Sequence, residues 1–406
     1  MLGAVGQAEI ERAARASGGV VRETPVISSR TLSDRLGTTV VLKAENLQRT
    51  GSFKLRGAFA KIASLGGVTA NGVVCGSAGN HAQAVAYAAR SLGVRCEVFM
   101  PIGAPIAKAE AAESLGAIVH LGGSSVDDAV VAARARAADA GMAFIHPFDD
   151  PEVVAGQGGV GLELLSQVPD MGRVVVPVGG GGLISGVAIA IKSVRPDVEI
   201  VGVQVEACAT FPVSLQAGTP TPVQTARTIA DGIAVKRPGD LTLALIDHWV
   251  DQMLLVSEDE VAEAMVFLLE RTKLVVEGAG AVGVAALLSG KLGGPVSGTT
   301  VLILSGGNVD VGLLSEVARR HESQRDRRLV LQLRIPDRPG SLAGLLTLIG
   351  EMGANILDVQ HIREGLDLHI QETAVQLVLE TRGPEHADRV RTAINVAGYA
   401  EVRWGR

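Results

Sequence analysis

The sequence predicts an α/β protein with open, mostly parallel sheets, followed by a small ferredoxin-like domain, and three observations carry that prediction. From about residue 40 to residue 304, short β-branched runs alternate with Ala-rich stretches of helical character, the pattern of parallel strands joined by helices. Glycine- or asparagine-rich turns follow three of these strands, where an open sheet gathers its ligand. At 319–328 the texture changes to RRHESQRDRR, a polar segment without hydrophobic period that reads as a helix end running into a linker.

VVLKAE, GVVCGS, CEVFMP, AIVHLG, AFIHPF, RVVVPVG, EIVGVQ and TVLILSG read as buried strands. Between them HAQAVAYAARSLG, SVDDAVVAARARAADAG and SEDEVAEAMVFLLERTK read as helices, the last with Ser257 as N-cap and Glu260 three residues on. Beyond the linker the order is strand, helix, strand, strand, helix, strand: LVLQLRIP, GSLAGLLTLIGEMG, NILDVQHIRE, ETAVQLVLET, EHADRVRTAINVAG and AEVRW. The expected organisation is a large domain over 1–318 with a smaller subdomain at about 50–150, a linker at 319–328 and a second domain over 329–406. A chain of 406 residues exceeds what one core organises, which agrees with that division.

Composition narrows the function. With 47% hydrophobic residues the chain has ample core material and is globular. A net charge of -6 removes the footprint of a nucleic-acid binder, leaving small ligands as partners. Cys75, Cys96 and Cys208 form no CxxC and no Cys/His cluster, so neither a disulfide framework nor a zinc site is expected. The N-terminal MLGAVGQAEIERAARAS lacks the basic start and apolar core of a signal peptide, and no apolar run approaches the ~20 residues of a membrane span. The cytoplasm is the expected compartment, with no membrane partner.

The densest chemical signal is ENLQRTGSFKLRGA, where Lys54 sits in a turn-rich connection before an apolar helix. A turn lysine is by default a solvated charge, and it is the setting that lifts Lys54 above that reading. GSAGNHAQ, VGGGGLISG and SGGNVD are the three turns that follow strands. Four consecutive glycines before an apolar helix can aim backbone N–H groups at an anion, and phosphate is the natural candidate. Asn80 and Ser305 offer neutral hydrogen bonds beside it, whereas a lone histidine such as His81 more often packs than catalyses. GQGGVG and GAGAVG both satisfy the dinucleotide pattern G-x-G-x-x-G. With 50 glycines, chance alone supplies roughly 0.7 such matches, and neither is followed by an acidic residue at the end of a next strand. A nicotinamide reading is rejected.

SFKLRGA, SAGNHAQ, PVGGGGL, IADGI and LSGGN, in this order, resemble the threonine dehydratases, or threonine ammonia-lyases, of the fold-type II pyridoxal-phosphate enzymes, whose fold is that of the tryptophan synthase β chain. The resemblance spans about residues 22–317. Residues 329–406, above all DRPGSLAGLL and GANILDVQH, resemble an ACT domain, a regulatory amino-acid-binding module. Together they look like the single-ACT form of that family.

The resemblance implies that Lys54 carries pyridoxal 5'-phosphate covalently and acts as catalytic base, with Phe53 against the ring face and Asn80 on the ring hydroxyl. It implies that Gly179, Gly180, Gly181, Gly182 and Leu183 hold the phosphate and that Ser305 faces the pyridine nitrogen. Ser77, Ala78, Gly79, Asn80 and His81 would bind the substrate carboxylate, largely through the backbone. The implied reaction is elimination of water and ammonia from L-threonine to give 2-oxobutanoate. Eukaryotic serine racemases of this fold have a second serine where Ala78 stands, so racemisation is not the expected main activity, and their divalent-cation site is not expected where this chain has Gln204 and Thr210.

In the ACT-like segment Gly340, Ser341, Leu342 and Asn355 are the expected regulatory site, and a branched-chain amino acid, isoleucine first, the expected effector. ACT domains act in pairs, which implies a homodimer or homotetramer. Two alternatives stay open: an L-serine or 3-hydroxyaspartate dehydratase using the same residues, and a non-catalytic amino-acid sensor on the same scaffold.

Overall fold

The computed structural model describes residues 2–224, 227–363 and 368–402, and the chain divides into two units, Met1–Asp310 and Val311–Arg406. The first unit carries strands β1 (Val26–Ser28), β2 (Val40–Ala44), β3 (Val73–Gly76), β4 (Cys96–Met100), β5 (Ile118–Leu121), β6 (Ala143–Phe144), β7 (Met171–Pro177), β8 (Glu199–Val205), β9 (Gln252–Val256) and β10 (Thr299–Leu304). Six form a sheet in the order β1-β2-β10-β7-β8-β9, parallel except for β1, and four form a wholly parallel sheet in the order β5-β4-β3-β6. The most apolar sequences lie innermost: β10 is buried at every position because parallel strands with crossover helices are covered on both faces. The smaller sheet is inserted in sequence between β2 and β7.

The two dinucleotide-like glycine runs lie inside helices, not at strand ends. GQGGVG belongs to the helix Pro151–Gln167 and GAGAVG to Gly278–Leu288, which is buried along its whole length. A Cβ at Gly156 would stand 2.5 Å from the Arg56 carbonyl oxygen, one at Gly158 2.7 Å from Ile10, and one at Gly161 2.7 Å from Ala190. These glycines let helices touch. Strands β1 and β9 and the helix Pro151–Gln167 are elements that the sequence pattern alone did not reveal, the last because its glycines mask a helical period.

The second unit begins with the helix Val311–Gln324, followed by β11 (Arg328–Pro336), β12 (Asn355–Ile362), β13 (Glu372–Glu380) and β14 (Ala400–Glu401), an antiparallel sheet in the order β12-β13-β11-β14. The helix runs through most of the segment expected as linker, leaving 325–327 as the connection, because Val317 and His321, four residues apart, are buried on one helical face. Alternate residues Leu331, Leu333, Val375 and Leu377 pack with Leu345, Ile349, Val390 and Ile394 of the helices Ser341–Glu351 and Pro384–Val396, a ferredoxin-like arrangement. Of the strand segments read from sequence, residue 364 of NILDVQHIRE and residues 403–404 of AEVRW lie outside the described residues.

The helix Lys54–Ser64 is anchored by buried charge. Arg56 donates to both oxygens of Glu45 (2.8 and 2.8 Å) and of Glu163 (2.6 and 3.0 Å). Lys43 of β2 completes the cluster, bonding Glu163, the Thr24 carbonyl oxygen (2.7 Å) and Gln167 (2.9 Å). Burial raises the Glu45 carboxyl, but the Arg56 guanidinium outweighs it and holds the group below the ordinary carboxylate range. A depressed carboxyl contributes stability above its unfolded pKa that is lost as pH falls through the folded one. Arg56→Met, which strands two carboxylates beside one ammonium, is therefore expected to destabilise the first unit by about 3–5 kcal/mol. Thermal unfolding across pH 3–7 checks this, and an unchanged melting profile would exclude a structural role for the cluster.

Candidate active site

Loops at the carboxyl ends of β2, β3, β6, β7 and β10 converge on one cavity of about 770 Å³ within the first unit. Its lining includes Phe53, Lys54, Ser77, Ala78, Gly79, Asn80, His81, Gly179, Gly180, Gly181, Gly182, Leu183 and Ser305, so the sequence-derived candidates of this unit come together. Gly340, Ser341, Leu342 and Asn355 belong to the second unit. There Gly340, with φ 88°, caps the helix Ser341–Glu351, and the Asn355 amide donates to Glu380 across the sheet (3.1 Å).

Lys54 is the first residue of its helix, and its Nζ donates to the Pro147 carbonyl oxygen (2.9 Å). Desolvation in the cavity lowers its pKa to about 8, against the raising effect of the Glu277 charge. The Phe53 N–H donates to the Ser305 carbonyl oxygen (3.1 Å), which ties the turn before Lys54 to the end of β10 and places buried Ser305 beside it.

The glycine run turns into the helix Gly182–Lys192 through Gly181, whose φ of 92° favours glycine. A Cβ at Gly180 would meet the Phe148 ring at 2.2 Å, so only glycine fits beneath that aromatic. Thr242 Oγ1 donates to the Gly180 carbonyl oxygen (2.7 Å). The amides that open a helix have no carbonyl partner in their own helix, and those of 182–183 belong to the cavity wall.

Asn80 begins the helix Asn80–Ser91. Its Nδ2 donates to Glu277 Oε1 (2.7 Å) and its Oδ1 accepts from Asn308 Nδ2 (2.9 Å). Glu277 is buried, and desolvation first, then the charge of Asp231, pushes its carboxyl up to about 7. His81 Nε2 lies 3.0 Å from the Ile145 carbonyl oxygen, to which the neutral ring donates; burial, then the Lys54 charge, pushes its pKa down to about 3. His146 Nδ1 accepts the N–H groups of Asp149 (2.8 Å) and Phe148 (3.3 Å), and burial lowers it to about 4. Both rings are neutral at pH 7. At the mouth, Lys108 pairs with Asp231 (3.0 Å) and Lys236 with Asp127.

Sequence reasoning missed Glu277, Asn308, His146, Phe148 and Gln157, all of which line the cavity. One signal was available: Glu277 is the single acid in LVVEGAGAVGVAALL, adjacent to a glycine run dismissed as a chance match. Gln204 Nε2 donates to Thr210 Oγ1 (3.2 Å) and its Oε1 accepts from the Phe211 N–H (3.0 Å), so the two residues singled out at the end of β8 satisfy one another. Among the described residues no three His, Cys, Asp or Glu side chains gather as metal ligands, and no helix is long and apolar enough to cross a membrane.

The model of the pyridoxal-phosphate dependent enzyme family matches residues 19–306. An L-threonine ammonia-lyase of Thermotoga maritima is 45% identical over 97% of this chain and 98% of its own length, and one of Geobacter sulfurreducens is 47% identical over 93% and 94%. Among solved structures, a threonine deaminase from T.th. superposes with a TM-score of 0.71 at 42% identity, over 75% of this chain and 99% of that one.

The electrostatics of Lys54 are directly measurable. In ligand-free protein, competitive acylation followed by peptide mapping is expected to give Lys54 a titration midpoint near pH 8, with exposed lysines titrating about two units higher. A Lys54 midpoint among the exposed lysines would show that the cavity does not desolvate the amine.

Proposed function

The chain belongs to the pyridoxal-phosphate dependent enzymes, and from that membership we propose that it is an L-threonine ammonia-lyase, converting L-threonine to 2-oxobutanoate and ammonia. The observation that carries the reading is a desolvated lysine amine lining the same cavity as a glycine run that opens a helix. The cavity fits the cofactor. Gly179, Gly180, Gly181, Gly182 and Leu183 would cradle a phosphate, Lys54 is the amine for covalent attachment, and Phe53 and Ser305 line the same cavity.

When bound, pyridoxal phosphate supplies the conjugated system that accepts the electron pair of the substrate Cα–H bond. This chain's residues do the rest. The loop 77–79 and the first turn of Asn80–Ser91 hold the substrate carboxylate with backbone N–H groups and the positive end of the helix. Lys54 Nζ takes the Cα proton, and the desolvation that lowers its pKa favours the unprotonated amine this step needs. The Pro147 carbonyl oxygen orients that amine. Ser305 would meet the pyridine nitrogen with a neutral hydroxyl, a partner that would leave the ring a weaker electron sink than a carboxylate would. The substrate thus loses its Cα proton, taken by Lys54, and its β-hydroxyl, the two together making up the water that leaves. The enamine released tautomerises and hydrolyses to 2-oxobutanoate and ammonia.

In the same reading the second unit is an ACT regulatory domain that binds a branched-chain amino acid, isoleucine above others, in a homodimer or homotetramer acting in the cytoplasm. Its strand order and the turn at Gly340 support the domain type, and the alignment with the T. maritima ammonia-lyase, spanning 397 residues, extends through it.

Lys54→Ala is expected to reduce 2-oxobutanoate formation from threonine by more than about a thousandfold while leaving circular dichroism unchanged. Turnover within tenfold of wild type would refute the assignment. Threonine saturation curves recorded with and without isoleucine, for the whole chain and for a chain ending at Asp310, test the second unit. The effector is expected to shift the first curve and not the second, and identical curves for the whole chain would leave the unit without that role.

A further inference from the structure

The side-chain amides of Asn80 and Asn308 fix one another's orientation without reference to any ligand. The Thr50 carbonyl oxygen can only accept, so the Asn308 atom 2.8 Å from it is the nitrogen. That same nitrogen reaches Asn80, so the Asn80 atom 2.9 Å away is its oxygen. The remaining Asn80 atom, 2.7 Å from Glu277 Oε1, is therefore Nδ2, and Glu277 Oε1 is an acceptor. Each step follows from donor and acceptor chemistry, and the chain ends on a carboxyl group buried in the cavity wall.

Glu277 is held there from two sides. Its own N–H donates to the Gly306 carbonyl oxygen (3.1 Å), and a Cβ at Gly306 would lie 2.3 Å from Glu277 Oε1 and 3.2 Å from Asn80 Nδ2. The turn after β10 thus needs glycine to admit the Glu277–Asn80 pair. The charged groups acting on this carboxyl are Asp231 in the turn 231–233, Lys108 of the helix Ile106–Ser114, and Lys54.

We propose that Glu277 is a positioning residue for the cofactor: it and Asn308 pin the Asn80 amide so that the second Nδ2 hydrogen points to the cofactor's ring oxygen. This rests on the reading of the cavity as a pyridoxal-phosphate site. An unpinned Asn80 amide could flip and present its carbonyl oxygen to the ring oxygen, replacing a hydrogen bond by a repulsion. On this reading Glu277 acts on the ring through Asn80, the side chain to which it is hydrogen-bonded.

Pyridoxal-phosphate dissociation constants, measured by equilibrium dialysis of Asn80→Ala, Glu277→Ala, Asn308→Ala and the double variant Asn80→Ala/Glu277→Ala, test this relay. Each single change is expected to weaken binding about tenfold, and the double variant to bind no more weakly than Asn80→Ala alone. Equal losses from Glu277→Ala in the wild-type and Asn80→Ala backgrounds would overturn the relay, because general damage to the cavity is additive. Wild-type protein that binds no pyridoxal phosphate would instead sink the underlying cofactor reading, so the two failures are distinct.

Discussion

The clamp on Arg56 is the constraint from which the active site's geometry follows. A guanidinium presents its donors in one plane, and here that plane is shared by two carboxylates from different parts of the chain, Glu45 after β2 and Glu163 on the long helix Pro151–Gln167. Arg56 lies two residues beyond Lys54, so the clamp sets the rotation of the helix on which the catalytic amine stands. An apolar packing of equal volume would have no such directional preference. With Lys43 included, two cations and two anions are buried together, and the desolvation of each is offset by partners within hydrogen-bonding distance.

Burial acts on the two functional ionisable groups in opposite directions. In water a lysine and a glutamate titrate at 10.5 and 4.5, six units apart; inside this cavity Lys54 comes down to about 8 and Glu277 up to about 7, one unit apart. Desolvation is the leading cause for both, since it penalises whichever form is charged. A base must lose its proton readily to take the substrate's, and a cavity wall must not hold fixed charge against an anionic cofactor. One low-dielectric environment serves both needs near neutral pH.

Much of this was legible in the sequence, and what was not shares a physical cause. Strands such as TVLILSG declare themselves because parallel strands buried on both faces are uniformly apolar, and the glycine and asparagine turns declare themselves because special backbone conformations restrict residue choice. The helix Pro151–Gln167 did not, because glycines that let Ile10, Arg56 and Ala190 approach erase the amphipathic period. Lys54, Asn80 and Ser305 stand in recognisable local motifs. Glu277, His146 and Phe148 reach the cavity only by tertiary folding, Glu277 meeting an Asn80 that lies 197 residues away, and no local pattern encodes that meeting.

The pairs at the cavity mouth bear on traffic more than on stability. Lys108 and Asp127 stand on helices beside the smaller sheet, while Asp231 and Lys236 belong to the segment crossing from the larger one. Both pairs are largely solvated, and exposed ion pairs contribute about 0–1 kcal/mol each. Contacts that weak break and re-form within ordinary thermal fluctuation, and dissolved ions compete for them at cellular salt, where screening acts over about 8 Å. All four residues line the cavity, so the rim around the lysine is held by contacts whose strength the surrounding electrolyte sets.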